Sequence, residues 1–198
     1  KNLLQTYSQS SRCFQVEFTD SENTVTRPRK IRVYPNKEQR TILDQWFGCA
    51  RFVYNQTVDY LKQSDTKASW MTIKKPIIDA LPEWSKSVPY QVKSVAVKEC
   101  CDAVSKAKKK CKNTGTFQKV HYRSKKKGDF SIYIPKSAVT EKGFYTRLLG
   151  DMFSSECLWR PNHDCQFKLE NGRYFLCIPK DIAVKRPENQ RLSACALD

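Results

Sequence analysis

The chain has 198 residues, and 36 Lys+Arg against 20 Asp+Glu give it a formal charge of +16. That length suffices for one domain, or two small ones, with a real core, and so basic a chain suits a polyanion, because each neutralised phosphate releases counterions. A membrane span is excluded because no apolar run is long enough, and a disulfide framework because the nine cysteines are odd in number and scattered through apolar stretches; with no CxxC pair, a structural zinc site within the segment is not expected either.

Residues 1–26 are polar, with an alternating stretch Cys13-Phe-Gln-Val-Glu-Phe18 that reads as a strand or a docked tail. Starting at Lys1 rather than Met, the chain reads as trimmed. Lys30-Ile-Arg-Val-Tyr34 is a clearer strand with Ile31 and Val33 on one face, ended by Pro35, which has no ladder N–H. Asn36 then caps a helix, with Gln39 completing a capping box. Leu43, Trp46, Phe47, Ala50, Tyr54, Val58 and Leu61 recur at three- and four-residue steps and predict a helix to about Lys62. Gly48 inside it implies close packing against a neighbour.

Ser69 to Lys75 reads as a looser segment leading into Pro76, followed by a short helix through Ile77, Ile78 and Leu81. A second long helix is predicted from about Gln91 to Lys112, with Val92, Val95, Ala96, Cys100, Ala103, Val104 and Ala107 on one side. Its last turns are lysine-rich, where the helix dipole favours cations, and Asn113 and Gly115 stop it.

Beyond Gly115 the period becomes alternating. Phe130-Ser-Ile-Tyr-Ile-Pro135 and Gly143-Phe-Tyr-Thr-Arg-Leu-Leu149 are predicted strands. Residues 164–169 and 173–178 form a hairpin turning through Glu170-Asn171-Gly172. The order strand, helices, strands favours a β-barrel interrupted by a helical insertion.

Ile31-Arg-Val-Tyr-Pro-Asn-Lys-Glu-Gln39, Gly48-Cys-Ala-Arg-Phe-Val-Tyr-Asn55, the basic run Phe117 to Lys127 and the closing Ala194-Cys-Ala-Leu-Asp198 occur in an order that resembles the TnpB/Fanzor family. These proteins are transposon-associated, RNA-guided DNA endonucleases. The resemblance covers residues 29–198 and leans toward Fanzor, given the cysteine richness, the extra amino-terminal tail and an irregular 136–163 segment. It implies an α+β fold: an OB-like wedge barrel interrupted by a helical recognition lobe. The implied organisation is a tail or extra strand over 1–28, a wedge strand over 29–36, the lobe over 37–115, the barrel over 116–190 and the first RuvC (RNase H-like) strand over 191–198.

The resemblance also implies guide RNA and target double-stranded DNA as partners, a monomeric ribonucleoprotein, and recognition of a short target-adjacent motif. Location would be the nucleus in a eukaryote and otherwise the cytoplasm. Asp198 would be a catalytic carboxylate and Mg²⁺ ligand, which alone cannot hold two metals, so this segment is expected not to cut DNA. Zn²⁺ belongs to a part beyond this chain. Within it, His163, Cys165 and Cys157 are the one set with metal-ligand character, a weaker reading than that of reduced, partly buried thiols.

Lys119, Tyr122, Arg123, Lys125, Lys126 and Lys127 mix basic and aromatic side chains in one loop, beside His121, as a phosphate backbone requires. Tyr90, Gln91, Lys93 and Ser94 stand where the family reads its motif, at a helix start from which side chains can reach base edges. The side chains at Tyr90 and Ser94 differ from the family's, implying a different motif. Trp70 and Lys74 are further candidates, with Trp70 also suiting the core. Arg51, Tyr54 and Asn55 either touch nucleic acid or join helix to barrel by hydrogen bonds. Two other functions stay open: a guide-directed repressor with a decayed nuclease, and a guide-independent helix-turn-helix DNA binder.

Overall fold

The computed structural model describes residues 24–63 and 67–183. It divides into two units: Arg27–Lys180, and Lys1–Thr26 with Asp181–Asp198. Only residues 24–26 and 181–183 of the second are described. There Thr26 Oγ1 donates to Asp181 Oδ1 at 2.6 Å. Cys13–Phe18 and residues 191–198, including Asp198, lie outside the described residues.

Strand β1 spans Thr24–Tyr34 and buries Ile31 and Val33 on one face, as their spacing requires. Helix α1 follows over Lys37–Lys62. Its capping box is formed: Gln39 N–H donates to Asn36 Oδ1 at 2.8 Å, and Asn36 N–H donates to Gln39 Oε1 at 2.9 Å. The Gln39 amide also donates to the carbonyls of Leu149 and Asp151, at 2.8 and 2.9 Å. The buried face of α1 is wider than the predicted stripe, adding Cys49, Val53 and Thr57, because α1 packs on α2, α3 and β2.

Gly48 departs from expectation. A Cβ built there meets nothing nearer than Arg51 Nη2 at 3.9 Å, an ordinary contact with the end of a flexible side chain. Packing therefore does not require glycine. Gly48→Ala should raise stability by about 1 kcal/mol, the helix-propensity difference, as read by urea unfolding.

Helix α2 spans Trp70–Asp79 and carries Pro76 inside it, so the predicted loose segment is helical. Ile73 and Ile77 are buried in the core and hold the helix together across the proline. Trp70 Nε1 donates to the Ser94 carbonyl at 3.0 Å, fixing its start. These tertiary contacts override a cost that local sequence alone suggests. Helix α3 runs Tyr90–Thr114, through Asn113, and ends at Gly115 with φ 68°. Its buried positions centre on Val92, Ala96, Val97, Cys100 and Cys101, while Val104 and Ala107 are only half-buried.

The remaining strands are β2 (Phe130–Ile134), β3 (Val139–Thr140), β4 (Gly143–Phe144), β5 (Phe153–Ser154), β6 (Cys165–Glu170) and β7 (Arg173–Ala183), with a one-turn helix α4 at Thr146–Leu149. The predicted strand over 143–149 is thus wrong beyond Phe144. Tyr145 turns left-handed at φ 47° while its N–H donates to the Ala138 carbonyl at 2.8 Å, folding the chain back. The predicted hairpin is present, with Leu169 opposite Tyr174 and Asn171 and Gly172 at φ 48° and 72°. Five strands form one sheet in the order β2-β6-β7-β1-β5, and β3 pairs with β4. The fold is α+β, with three helices inserted between β1 and β2 and sharing a core with the sheet.

Cys49, Cys100, Cys101, Cys165 and Cys177 are buried free thiols, Cys111 is half-buried and Cys157 exposed. Burial pushes Cys49 up to about 11, and Cys100 and Cys165 up to about 12. At pH 8 iodoacetamide should therefore label Cys157 in the native chain and leave Cys49, Cys100 and Cys165 protonated and unlabelled until denaturant is added. Site-resolved mass spectrometry reads the difference, and early labelling of Cys100 would contradict it.

Candidate nucleic-acid interface

After Gly115 the chain has no regular structure until β2, apart from a turn at Lys125–Lys127. A line of polar residues on α1, recurring at helical steps, holds this connector. Asn55 Nδ2 donates to the Arg123 carbonyl at 3.1 Å, and the Arg123 N–H donates to Asn55 Oδ1 at 2.8 Å. One amide thus satisfies both backbone groups of one residue, as a neighbouring strand would. The Arg123 guanidinium lies 3.9 Å from the Tyr54 ring centroid and pairs with Glu99 at 2.8 Å. Burial pushes the Tyr54 phenol above its usual range. One turn on, Tyr122 hydroxyl donates to Asp59 and accepts from Lys62, whose ammonium sits 4.0 Å from the ring centroid.

Asn55 and Tyr54 therefore dock the connector, the internal arrangement of the two that their sequence allowed. Arg123 is committed inward as well. Lys119, Lys125 and Lys126 are exposed, with no acidic partner among the described residues. Ser124 Oγ accepts from Lys126 N–H at 3.1 Å and holds the turn. The Lys127 side chain lies outside the described part. Arg51 sits 5.5 Å from the Phe130 ring centroid with no ion pair among the described residues. It lines a cleft of about 370 Å³ with Tyr54, His121, Arg123, Ser124 and Phe130. The lining also carries Asp129 and no lysine; the half-buried Arg51 guanidinium offers the fork geometry that suits a phosphate.

The α2–α3 group separates into outward and inward members. Tyr90 and Gln91 are exposed at the α3 start. Lys74 and Lys98 lie 4.4 and 5.9 Å from the half-buried Trp70 ring. Lys93 and Ser94, expected at base edges, are buried. The Lys93 ammonium donates to the Ser85 carbonyl at 2.9 Å. Both fall on the α3 face that packs into the core, so they serve the fold.

Residues 23–64 match a helix-turn-helix domain family of the OrfB/IS605 kind. A TnpB-like protein of Acanthamoeba polyphaga mimivirus is 50% identical over 32 residues, covering 16% of this chain and 6% of that protein. Over this amino-terminal segment the chain is similar to the TnpB family. The described part of the matched segment folds as β1 and one unbroken α1. The connector that α1 holds lies outside the match.

Sequence reasoning missed Asp59, Lys62, Glu99 and Lys98. The first two were legible, since Arg51, Asn55, Asp59 and Lys62 form a polar line at helical spacing beside the apolar stripe. Glu99 and Lys98 carry no such signal. Among the described residues no three His, Cys, Asp or Glu side chains gather to hold a metal. Cys165 is buried with Sγ 3.6 Å from the His163 carbonyl, and Cys157 is exposed.

Asn55→Ala should leave the Arg123 N–H and C=O without partners and cost about 2 kcal/mol, two unmade hydrogen bonds in a part-buried setting. Asn55→Asp keeps the acceptor for Arg123 N–H but sets a carboxylate against the Arg123 carbonyl, and should not restore stability. Denaturant unfolding measures both, and hydrogen exchange at Arg123 N–H should accelerate in Asn55→Ala.

Proposed function

We propose that this chain is the guide-RNA- and target-DNA-gripping portion of an RNA-guided DNA endonuclease. The observation that carries the reading is a basic connector displaying Lys119, Lys125 and Lys126 while α1 fixes its backbone through Asn55. Unpaired lysines on an anchored backbone can track phosphates without reading sequence, and Arg51 adds a forked donor at the cleft. The similarity of residues 23–64 to the OrfB/IS605 helix-turn-helix domain, and of a 32-residue stretch to a TnpB-like protein, supports the rest of the assignment. On this reading the five-stranded sheet is the wedge, the three long helices are the recognition lobe, and base pairing with the guide supplies target sequence.

The α2–α3 surface, with Tyr90, Gln91, Trp70 and Lys74, would meet the short target-adjacent motif. Lys93 and Ser94 take no part. Cutting would fall to a RuvC centre that includes Asp198 and Mg²⁺. The described residues form no carboxylate cluster for such an ion, and their assigned work is gripping and positioning.

The test is to express the protein with its flanking DNA and sequence the RNA that survives a high-salt wash. A single discrete RNA with a variable end supports the proposal and names a target for a cleavage assay. Heterogeneous RNA removed by salt, together with specific duplex binding in its absence, would replace it with guide-independent DNA recognition.

A further inference from the structure

Helix α3 outruns its partner. α1 ends at Lys62, yet α3 continues to Thr114 with Val104, Ala107 and Cys111 still spaced as a buried face. These positions are only half-buried. With Val58, Leu61 and Val120 they floor an open groove of about 630 Å³. Phe117 stands at its mouth, 80% exposed. The rim carries Lys62, Lys108, Lys112 and Lys119 with Gln118, and of these lysines Lys62 already pairs with Asp59. No acidic side chain lines it. Along α3 the groove runs from Val104 to Lys112, roughly 12 Å or two helical turns.

This chemistry selects its occupant. Nucleic-acid bases bind by stacking on aromatic faces and by hydrogen bonds at their edges. The floor is aliphatic, with a single exposed ring at one end, and offers little of either. Aliphatic side chains bind there by burial, and a groove floored by two helices takes a third helix at the i, i+4, i+7 spacing. Acidic residues on both flanks of that helix would meet the lysines and fix its register.

We propose that the α1–α3 groove is a docking site for an acidic amphipathic helix of a partner protein. The occupant presents a leucine-rich stripe to Val58, Leu61, Val104 and Ala107, and Asp or Glu to the rim. It is distinct from the Arg51 cleft, so one protein partner and one nucleic acid can be held together. The two share no lining residue.

The test uses a fluorescein-labelled helical peptide with Leu at i, i+4, i+7 and i+11 flanked by Glu, titrated into the intact chain by anisotropy. Saturable binding should weaken at least about tenfold in Lys108→Glu/Lys112→Glu, an exposed rim pair whose reversal leaves the fold intact by circular dichroism. Ala107→Trp, which fills the groove instead of recharging it, should abolish binding. Equal binding of a scrambled peptide, or no effect of either variant, overturns the proposal. Displacement of the peptide by laurate would reassign the groove to a small amphiphile. Displacement by oligouridine, with oligouridine binding lost in Ala107→Trp, would reassign it to nucleic acid. RNA retention by the rim variant, measured in parallel, separates failure here from failure of the guided reading.

Discussion

Phe167→Ala should destabilise the chain by about 3–5 kcal/mol, the range for emptying a buried aromatic site. Phe167 on β6 is fully buried. Its ring centroid lies 4.7 Å from Phe144, 5.8 Å from Phe47 and 5.9 Å from Tyr174. One side chain therefore joins β4, α1 and β7, three segments far apart in sequence. Removing it takes away transfer energy, ring contacts worth about 1 kcal/mol each and the walls' dispersion partners at once. At this chain length that should lower the melting temperature by roughly 6–20 °C. Phe167→Leu fills most of the volume and should be clearly milder. A loss below about 1 kcal/mol for Phe167→Ala in guanidinium unfolding would mean that Phe144 and Phe47 collapse into the gap, and that the sheet and helices do not share this core.

Much of that core was legible in the sequence because it obeys a period. Ile31 and Val33 alternate, the α1 stripe recurs at three and four, and the Asn171-Gly172 turn fixes the β6–β7 register. The failures occurred where a distant contact decides a local conformation. Pro76 argued for a break, and Ile73 and Ile77 anchor the helix through it. Residues 143–149 alternated like a strand, and the Ala138 carbonyl turns them back at Tyr145. Gly48 looked like a packing requirement, yet a Cβ there would make only an ordinary contact with the Arg51 side chain, since no sequence pattern reveals what faces a helix position.

The site divides along the same line. The residue types that suit phosphate were readable in Lys119, Lys125 and Lys126, but the direction each side chain takes was not. Lys93 sits beside the polar Gln91 and Ser94 at the α3 start and turns inward, because the α3 face that meets the core begins at Val92 and the Ser85 carbonyl needs a donor. Arg123 belongs to the same run as the displayed lysines, and Glu99 and Tyr54 draw it inside. Charge in a sequence is a count, whereas charge on a surface depends on which cations the fold has already neutralised.

That distinction gives the second large effect. Lys119→Ala/Lys125→Ala/Lys126→Ala should lower the slope of log binding constant against log salt by about 2 for single-stranded RNA, about 0.7 for each phosphate left without its lysine, and weaken binding on the order of a hundredfold at 0.1 M salt. The loss should be uniform across RNA sequences, because phosphate contacts position without specifying. Stability should shift by less than about 0.5 kcal/mol, since all three side chains are exposed without acidic partners among the described residues. The control removes the same charge elsewhere, at exposed lysines with no ion pair among the described residues, with Lys37→Ala/Lys67→Ala/Lys75→Ala. If the +16 acts as a diffuse cloud, both triple variants lose the same slope and affinity. If α1 presents the connector as a fixed phosphate track, only the first does, and Asn55→Ala should reproduce part of its loss with no charge removed. Arg123→Ala provides the opposite sign of evidence. Its guanidinium is already paired, so it should cost stability through Tyr54 and Glu99 while leaving the salt slope nearly unchanged.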